Sequence, residues 1–467
     1  MSSLIRYLFF FVVFLIPSMA ISASHAINPT CPSNGDGTAW SCAVTSGGVG
    51  AWNAIPASAN LTRGDTYYLG DGAYTGGITF SKATSGTSLI TIKKATTSDF
   101  GGLSGWNSTY GDGQATFNNS IGFSTSYWTF DGVTGGGPGS WGSGYGIKVT
   151  DTDVNAQVIQ TGGGATNITI KHVEVVGSGY ESTNDGFGID SGGTNFLASY
   201  IWIHDVGRCP IARPVSYGTA IFEYLYVSSY WARGTVHGEI ISAMYPNGTP
   251  GDTTFRYSLF TDVESTGGIM WDNRGNTNAH LYIYGNVFYK DPNREWNYGN
   301  GVVAGWTTST ALFSNVHVYN NTFINIPGNV FGSYYASGAY NATNNEVYNN
   351  IFYNSSSPGY TNTFADSGKI WNVHNYNHYI NSGGTHSEAN GTSATSGDPF
   401  VDYIRYNFNL STATTAGVSL SSPFNTDPNG ITRGGDGVWD KGAYESIGGA
   451  YNPIGKYPVS PGDILIK

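Results

Sequence analysis

The chain has 467 residues, 66 of them glycine, and only 11% are charged, against about 25% in ordinary globular domains. Aromatic residues make up 15%, enough apolar material for a large core, which excludes an intrinsically disordered chain and, with so little charge, a coiled coil or helical bundle. The formal net charge of −11 leaves no basic face of the kind nucleic acid requires, so no nucleic-acid partner is expected.

Residues 1–26 read as a secretory signal. Arg6 precedes an unbroken apolar run from Tyr7 to Ile16, followed by Pro17 and small residues, the order of n-region, h-region and cleavage site. Cleavage could follow Ala20 or Ala26. The run is far short of the roughly 20 residues that span a bilayer, so the mature protein is expected to be secreted, extracellular or periplasmic, with no membrane association. An oxidising compartment favours pairing Cys31 with Cys42 in CPSNGDGTAWSC, which makes residues 27–60 a disulfide-clipped amino-terminal cap. Cys209 is then left as a buried thiol.

From residue 61 to 446 short strands recur: YWTFDGV (127–133), ITIKHVEV (168–175), IWIHDV (201–206), FEYLYV (222–227) and FRYSLF (255–260). LYIYGNVF (281–288), VHVYNNTF (316–323), EVYNNIF (346–352) and IWNVHNY (370–376) follow. Each alternates apolar and polar positions, as a half-buried strand does. Their closing residues Val175, Val206, Tyr226, Phe260, Phe288, Phe323 and Phe352 stand 31, 20, 34, 28, 35 and 29 apart, a period that marks a solenoid. Helical periodicity and propeller signatures are absent, so the expected fold is all-β: a parallel β-helix, with Asn stacked on Asn between coils in YNNTF and YNNIF. Residues 447–467 are read as a carboxy-terminal tail.

The rungs resemble the right-handed parallel β-helix repeats of the pectin-lyase-like superfamily. NGDGTAWSCAVTSGGVGAWNAIP and RGDTYYLGDGAYTG are similar to the amino-terminal region of exported bacterial β-helix proteins. DPNGITRGGDGVWDKGAYE is similar to their closing segment. The resemblance implies Asp427, Arg433, Asp440 and Glu445 are structural, covering the last hydrophobic coil. It also implies a carbohydrate ligand on the outer face of one sheet.

Outward residues at matching offsets in adjacent coils are therefore the catalytic candidates. His237 and Glu239 follow Tyr226 by 11 and 13, and Asp272 and Arg274 follow Phe260 by 12 and 14. A lyase needs a base for the sugar C5 proton and a cation to stabilise the enolate; a hydrolase needs two carboxylates, here Glu239 and Asp272. The structural alternative is a surface Glu239–Arg274 ion pair. EIISAM, TTFRYSLF, DNRG and YGNVF also follow the order of the active coils in chondroitinase-B-like polysaccharide lyases, with Ala243 and Met244 where that family has its catalytic lysine.

Other candidates bind rather than react. WIHDVGRCPIARP, similar in outline to elements of pectate lyases, offers His204, Arg208 and Arg213 for a sugar carboxylate, or a capped loop whose charges pair locally. Asp185 and Asp190 could ligate Ca²⁺ or make Asx turns. Trp296 and Trp306 could stack on sugar rings or pack a lateral loop. The resulting expectation is a secreted polysaccharide lyase or hydrolase acting on an acidic plant or algal glycan; the alternative is a non-catalytic glycan-binding or structural surface protein.

Overall fold

The computed structural model describes residues 22–447 except 180–185, 214–217, 229, 232–237, 243–250, 262, 265–266, 272–277, 293–300, 307–313, 335–342, 357, 359–370, 372 and 384–386. Short strands wind through three faces per coil, and the coil strands pair in parallel from one coil to the next, while Phe400–Asp402 and Asn407–Leu410 form an antiparallel pair after the coils. Helix among the described residues is limited to three short 3₁₀ turns. The protein is a parallel β-helix.

Face one is a nine-stranded sheet running from Ile78–Phe80 to Phe331–Tyr334. Faces two and three merge into a 21-stranded sheet because Ile168–Val176, Phe196–His204 and Ala220–Ser228 each run unbroken across the bend between them. The bend needs a left-handed residue, and His172, Tyr200, Tyr224 and Tyr257 supply it at φ of 54°, 56°, 52° and 56°. Later coils use Asn320 and Asn349 there, since Asn bears the left-handed region at lower cost than most residues.

The residue after this corner builds the expected asparagine ladder. Asn286, Asn321, Asn350 and Asn377 are fully buried. The amide of each passes a hydrogen bond to the side-chain oxygen of the next, at 3.0, 3.1 and 2.9 Å. Glu388 ends the ladder by accepting from Asn377 Nδ2 at 2.9 Å. Every coil thereby satisfies backbone groups that the turn would otherwise bury unpaired.

Inside, side chains stack in rows along the axis. Phe260, Phe288, Phe323, Phe352 and Tyr379 lie ring on ring at 4.9, 5.1, 5.2 and 5.1 Å. Val175 stands in the same row, joined to Phe260 through Ile203 and Val227. The inward anchors of those two coils are therefore Ile203 and Val227, not Val206 and Tyr226. Val206 is buried in the following turn. Tyr226 stands in the outer row between Trp202 and Leu259.

The outer side of face three turns apolar in later coils, with Leu259, Val287 and Ile351 in that row and Ile324, Tyr353 and Ile380 in the next. The chain folds back to cover it with Phe400, Phe408, Leu410 and Tyr444. Asp427, Arg433, Asp440 and Glu445 hold this segment from within, all buried; Asp427 accepts from the backbone of Ile431 and Glu445, and Asp440 from that of Ser446. These residues are structural, but the segment reaches Asn320, Thr322 and Asn349. It covers the flank of several coils, where the sequence suggested the last coil.

At the other end, Cys31 and Cys42 are bonded, and Cys209 is free and buried. The first strand, Ser24–Ile27, pairs in parallel with Thr66–Leu69.

Candidate functional site

The structure overturns the expected position of Glu239. Ile211, Ile241 and Ile269 are ladder neighbours on face one and belong to the core. Glu239 lies two residues from Ile241 and so shares its side of the strand; it is 0% exposed. Cys209, equally buried, directs its Sγ at Glu239 Oε2 from 3.6 Å. Burial, with the Glu239 carboxylate second, pushes the Cys209 thiol well up. The strand holds two adjacent isoleucines: taking Ile240 as the inward one turns Glu239 outward, whereas Ile241 stands in the core row with Ile211 and Ile269 and turns it inward. Glu239 therefore does not stand in a solvent-facing groove. His237, Asp272 and Arg274 lie outside the described residues, as do Asp185 and Trp296.

The binding candidates separate onto two faces. Arg208 and Arg213 flank Cys209–Ala212 on face one. The Arg208 guanidinium lies 5.3 Å from the Phe187 ring centroid. Arg213 donates to Gly218 O at 3.0 Å. Asp190 ends the neighbouring strand Phe187–Asp190 and is buried, which pushes its carboxyl up to about 6 against a hydrogen bond from Gln160. No group of three metal-ligating side chains is found among the described residues, which do not include Asp185. Trp306 closes the strand Val303–Trp306; its side chain lies outside the described residues.

His204 is on face three, away from both arginines, in a network the sequence did not reveal. Its Nδ1 contacts Asp205 Oδ2 at 2.6 Å and its Nε2 contacts Glu174 Oε1 at 3.4 Å. The Trp202 ring stacks on the imidazole at 4.0 Å. Glu174 also accepts from Lys148 Nζ at 2.6 Å and Gln114 Nε2 at 3.1 Å. Ladder register brings these groups together, since Lys148, Glu174 and Trp202 occupy one outward row. Burial alone would raise the Glu174 carboxyl, but the hydrogen bonds from His204, Lys148 and Gln114 prevail and hold it at about 2. Burial likewise opposes charge on His204, and Asp205 and Glu174 overcome it, raising the imidazole above its ordinary value.

Glu174 forms part of the wall of a cleft of about 880 Å³ that Lys94, Asp112, Gln114, Thr134, Ser143 and Tyr145 also line. Lys94, nearly buried, pairs with Asp71 at 2.6 Å and donates to Ala95 O at 2.7 Å. Lys94, Lys148 and His204 are thus each neutralised by a carboxylate. The cleft, large enough for a sugar ring, offers hydroxyls, an amide and balanced charge. That suits recognition of a hydroxylated ligand better than proton abstraction, which requires a group free to change its charge. A single Lys in IKVT and a single Glu in HVEVV were the only trace of Lys148 and Glu174, and they become legible only with the register.

No family model and no curated protein matches the chain. Among solved structures it is similar to pectate lyase Pel9A, at 13% identity and a TM-score of 0.50, covering 91% of this chain and 97% of that one. It is also similar to the PL6 family polysaccharide lyase Pedsa3628 from Pseudopedobacter saltans, at 14% identity and a TM-score of 0.46, covering 79% and 95%. A mannuronic acid specific family 6 lyase from human gut microbiota follows at 14% identity and 0.40, covering 72% and 78%. The shared property is the fold.

Proposed function

We propose that the protein is an exported polysaccharide lyase acting on an acidic plant or algal glycan. The observation that carries this reading is the fold: the chain and pectate lyase Pel9A follow one another over 91% and 97% of their lengths. The apolar leader and the Cys31–Cys42 bond agree with an oxidising destination, and no described helix is long and apolar enough to cross a membrane. In β-elimination a base removes the sugar C5 proton, the C4–O bond breaks, and the leaving oxygen takes a proton, while a cation stabilises the enolate. Face one is the proposed seat of that chemistry, with Asp272 and Arg274 as the reacting groups and Arg274 as the cation; His237, two positions from the buried Glu239, has the parity of the inward side and is not assigned a role. Arg208 receives a substrate carboxylate; Arg213, buried with its guanidinium 6.0 Å from the ring centroid of the core residue Phe222, is withdrawn from the binding set. Glu239 is withdrawn from the reacting set because it is sealed in the core. Incubation with a panel of uronate polymers, with and without Ca²⁺, tests the reading through the ultraviolet absorbance of the unsaturated product. Absorbance should grow on at least one polymer; a flat trace across the panel rejects the lyase.

One observation favours a second reading, glycan binding without turnover. Lys94, which lines the cleft, and Lys148 and His204, which hold the Glu174 of its wall, are each paired with a carboxylate, as a recognition surface would be. Saturable binding of a glycan that the protein leaves intact would support that reading.

A further inference from the structure

Two chain segments wall the cleft beside Glu174, residues 94–98 with 111–114 and residue 134 with 142–146. Gln114 braces them. Its Nε2 donates to Tyr145 O at 2.9 Å and to Glu174 Oε2 at 3.1 Å, tying both walls to one carboxylate. Asp71 fixes the first wall, accepting from Gly113 N at 2.5 Å and pairing with Lys94 at 2.6 Å. The cleft is thus shaped before any ligand arrives, which lowers the cost of binding one. Its charges are unequal. The cation of the lining is Lys94, nearly buried and committed to Asp71 and Ala95 O. Asp112, on the same wall, is exposed and forms no hydrogen bond or ion pair among the described residues. Glu174 takes three donors, Gln114, Lys148 and His204, where a carboxylate can accept about four.

We propose that this cleft is a subsite for a neutral sugar unit, a hexose or a pentose, and that it turns uronates away. The proposal rests on the glycan-binding reading and needs no turnover. Sugar hydroxyls donate well to carboxylates, because charge-assisted hydrogen bonds are the stronger class. Asp112 and the open position on Glu174 are acceptors of that kind. The exposed hydroxyls of Thr97, Ser98 and Ser143 on the walls both donate and accept. A uronate carboxylate would find no uncommitted cation here and two carboxylates of its own sign, the juxtaposition by which a site rejects the wrong ligand. The volume of about 880 Å³ is ample for one sugar unit. Taken with the lyase reading, the proposal makes the glycan a mixed polymer that carries neutral units beside the acidic ones.

Saturation-transfer NMR on the intact exported protein tests the site. Hexasaccharides of galactan, mannan and xylan serve as neutral probes, and hexamers of galacturonate and mannuronate as acidic ones. At least one neutral hexamer should give a saturable signal that the acidic hexamers do not compete away. Asp112→Ala, at an exposed position, and Ser143→Trp, which fills the cleft from its wall, should each weaken that binding about tenfold or more. Both variants should melt near the wild-type temperature. Acidic hexamers bound while no neutral one binds, or neutral binding that both variants leave unchanged, would overturn the proposal. An acidic hexamer held by the wild type and lost in Ser143→Trp would overturn it as well, yet leave glycan binding at the cleft in place. Silence from every probe would reject the glycan-binding reading and the proposal together.

Discussion

The buried groups make the sharpest predictions at the scale of single residues. Glu239 is 0% exposed beside Cys209, so Glu239→Gln should leave turnover within about twofold while shifting the melting temperature; a catalytic carboxylate would instead cost about a hundredfold or more. Cys209 should react with thiol reagents only after denaturation, because burial holds it as a thiol and the thiolate is the reactive form. Glu174 carries a pH signature. Its folded value of about 2 lies below the ordinary 4.5, so its ion pairs stabilise the fold above pH 4.5, and that contribution fades as pH falls from there toward 2. His204 is raised, so its contribution is complete below its ordinary 6.5 and is lost as pH climbs past the folded value. The network is therefore strongest between these limits. Unfolding midpoints measured against pH should show an acid limb that flattens in Glu174→Gln.

Ladders rather than individual strands hold the elements together. Asn350 donates to Asn377 Oδ1 and Val318 O and accepts from Asn321, with no exposure. Asn350→Ala should cost about 2–4 kcal/mol in urea unfolding, because it strands buried polar groups in two coils. Phe323→Ala should cost about 3–5 kcal/mol by opening a gap in the ring stack. These ladders also explain what could be read without coordinates. A phenylalanine about every 30 residues and the NN pairs reveal a repeating coil, because stacking forces like residues into like positions. The site demanded more. Tyr226 and Val227 are both apolar and both buried, and alternation alone cannot say which faces in. Ile240 and Ile241 pose the same choice, and taking Ile240 as the inward residue reversed the facing of Glu239. Lys148, Glu174 and His204 come from three coils, and only parallel register makes neighbours of residues so far apart in sequence.

For the whole molecule, the amino-terminal strand constrains where the proposed signal can be cleaved. Ser24–Ile27 pairs with Thr66–Leu69, Ala23 N donates to Asp65 at 2.9 Å, and His25 stacks between Trp52 and Tyr67. Cleavage after Ala26 would remove most of a built strand, whereas cleavage after Ala20 leaves it whole. Amino-terminal sequencing of exported protein should therefore begin at Ile21; a start at Ile27 would contradict this. Beyond export, the account rests on a parallel β-helix that cuts an acidic glycan by elimination. Mass spectrometry of the products from the best uronate polymer tests that claim most directly. Elimination splits the chain without adding water and leaves one unsaturated end, and the account predicts those masses. Products that each carry an added water would make the protein a hydrolase, and a polymer recovered uncut would contradict catalysis altogether.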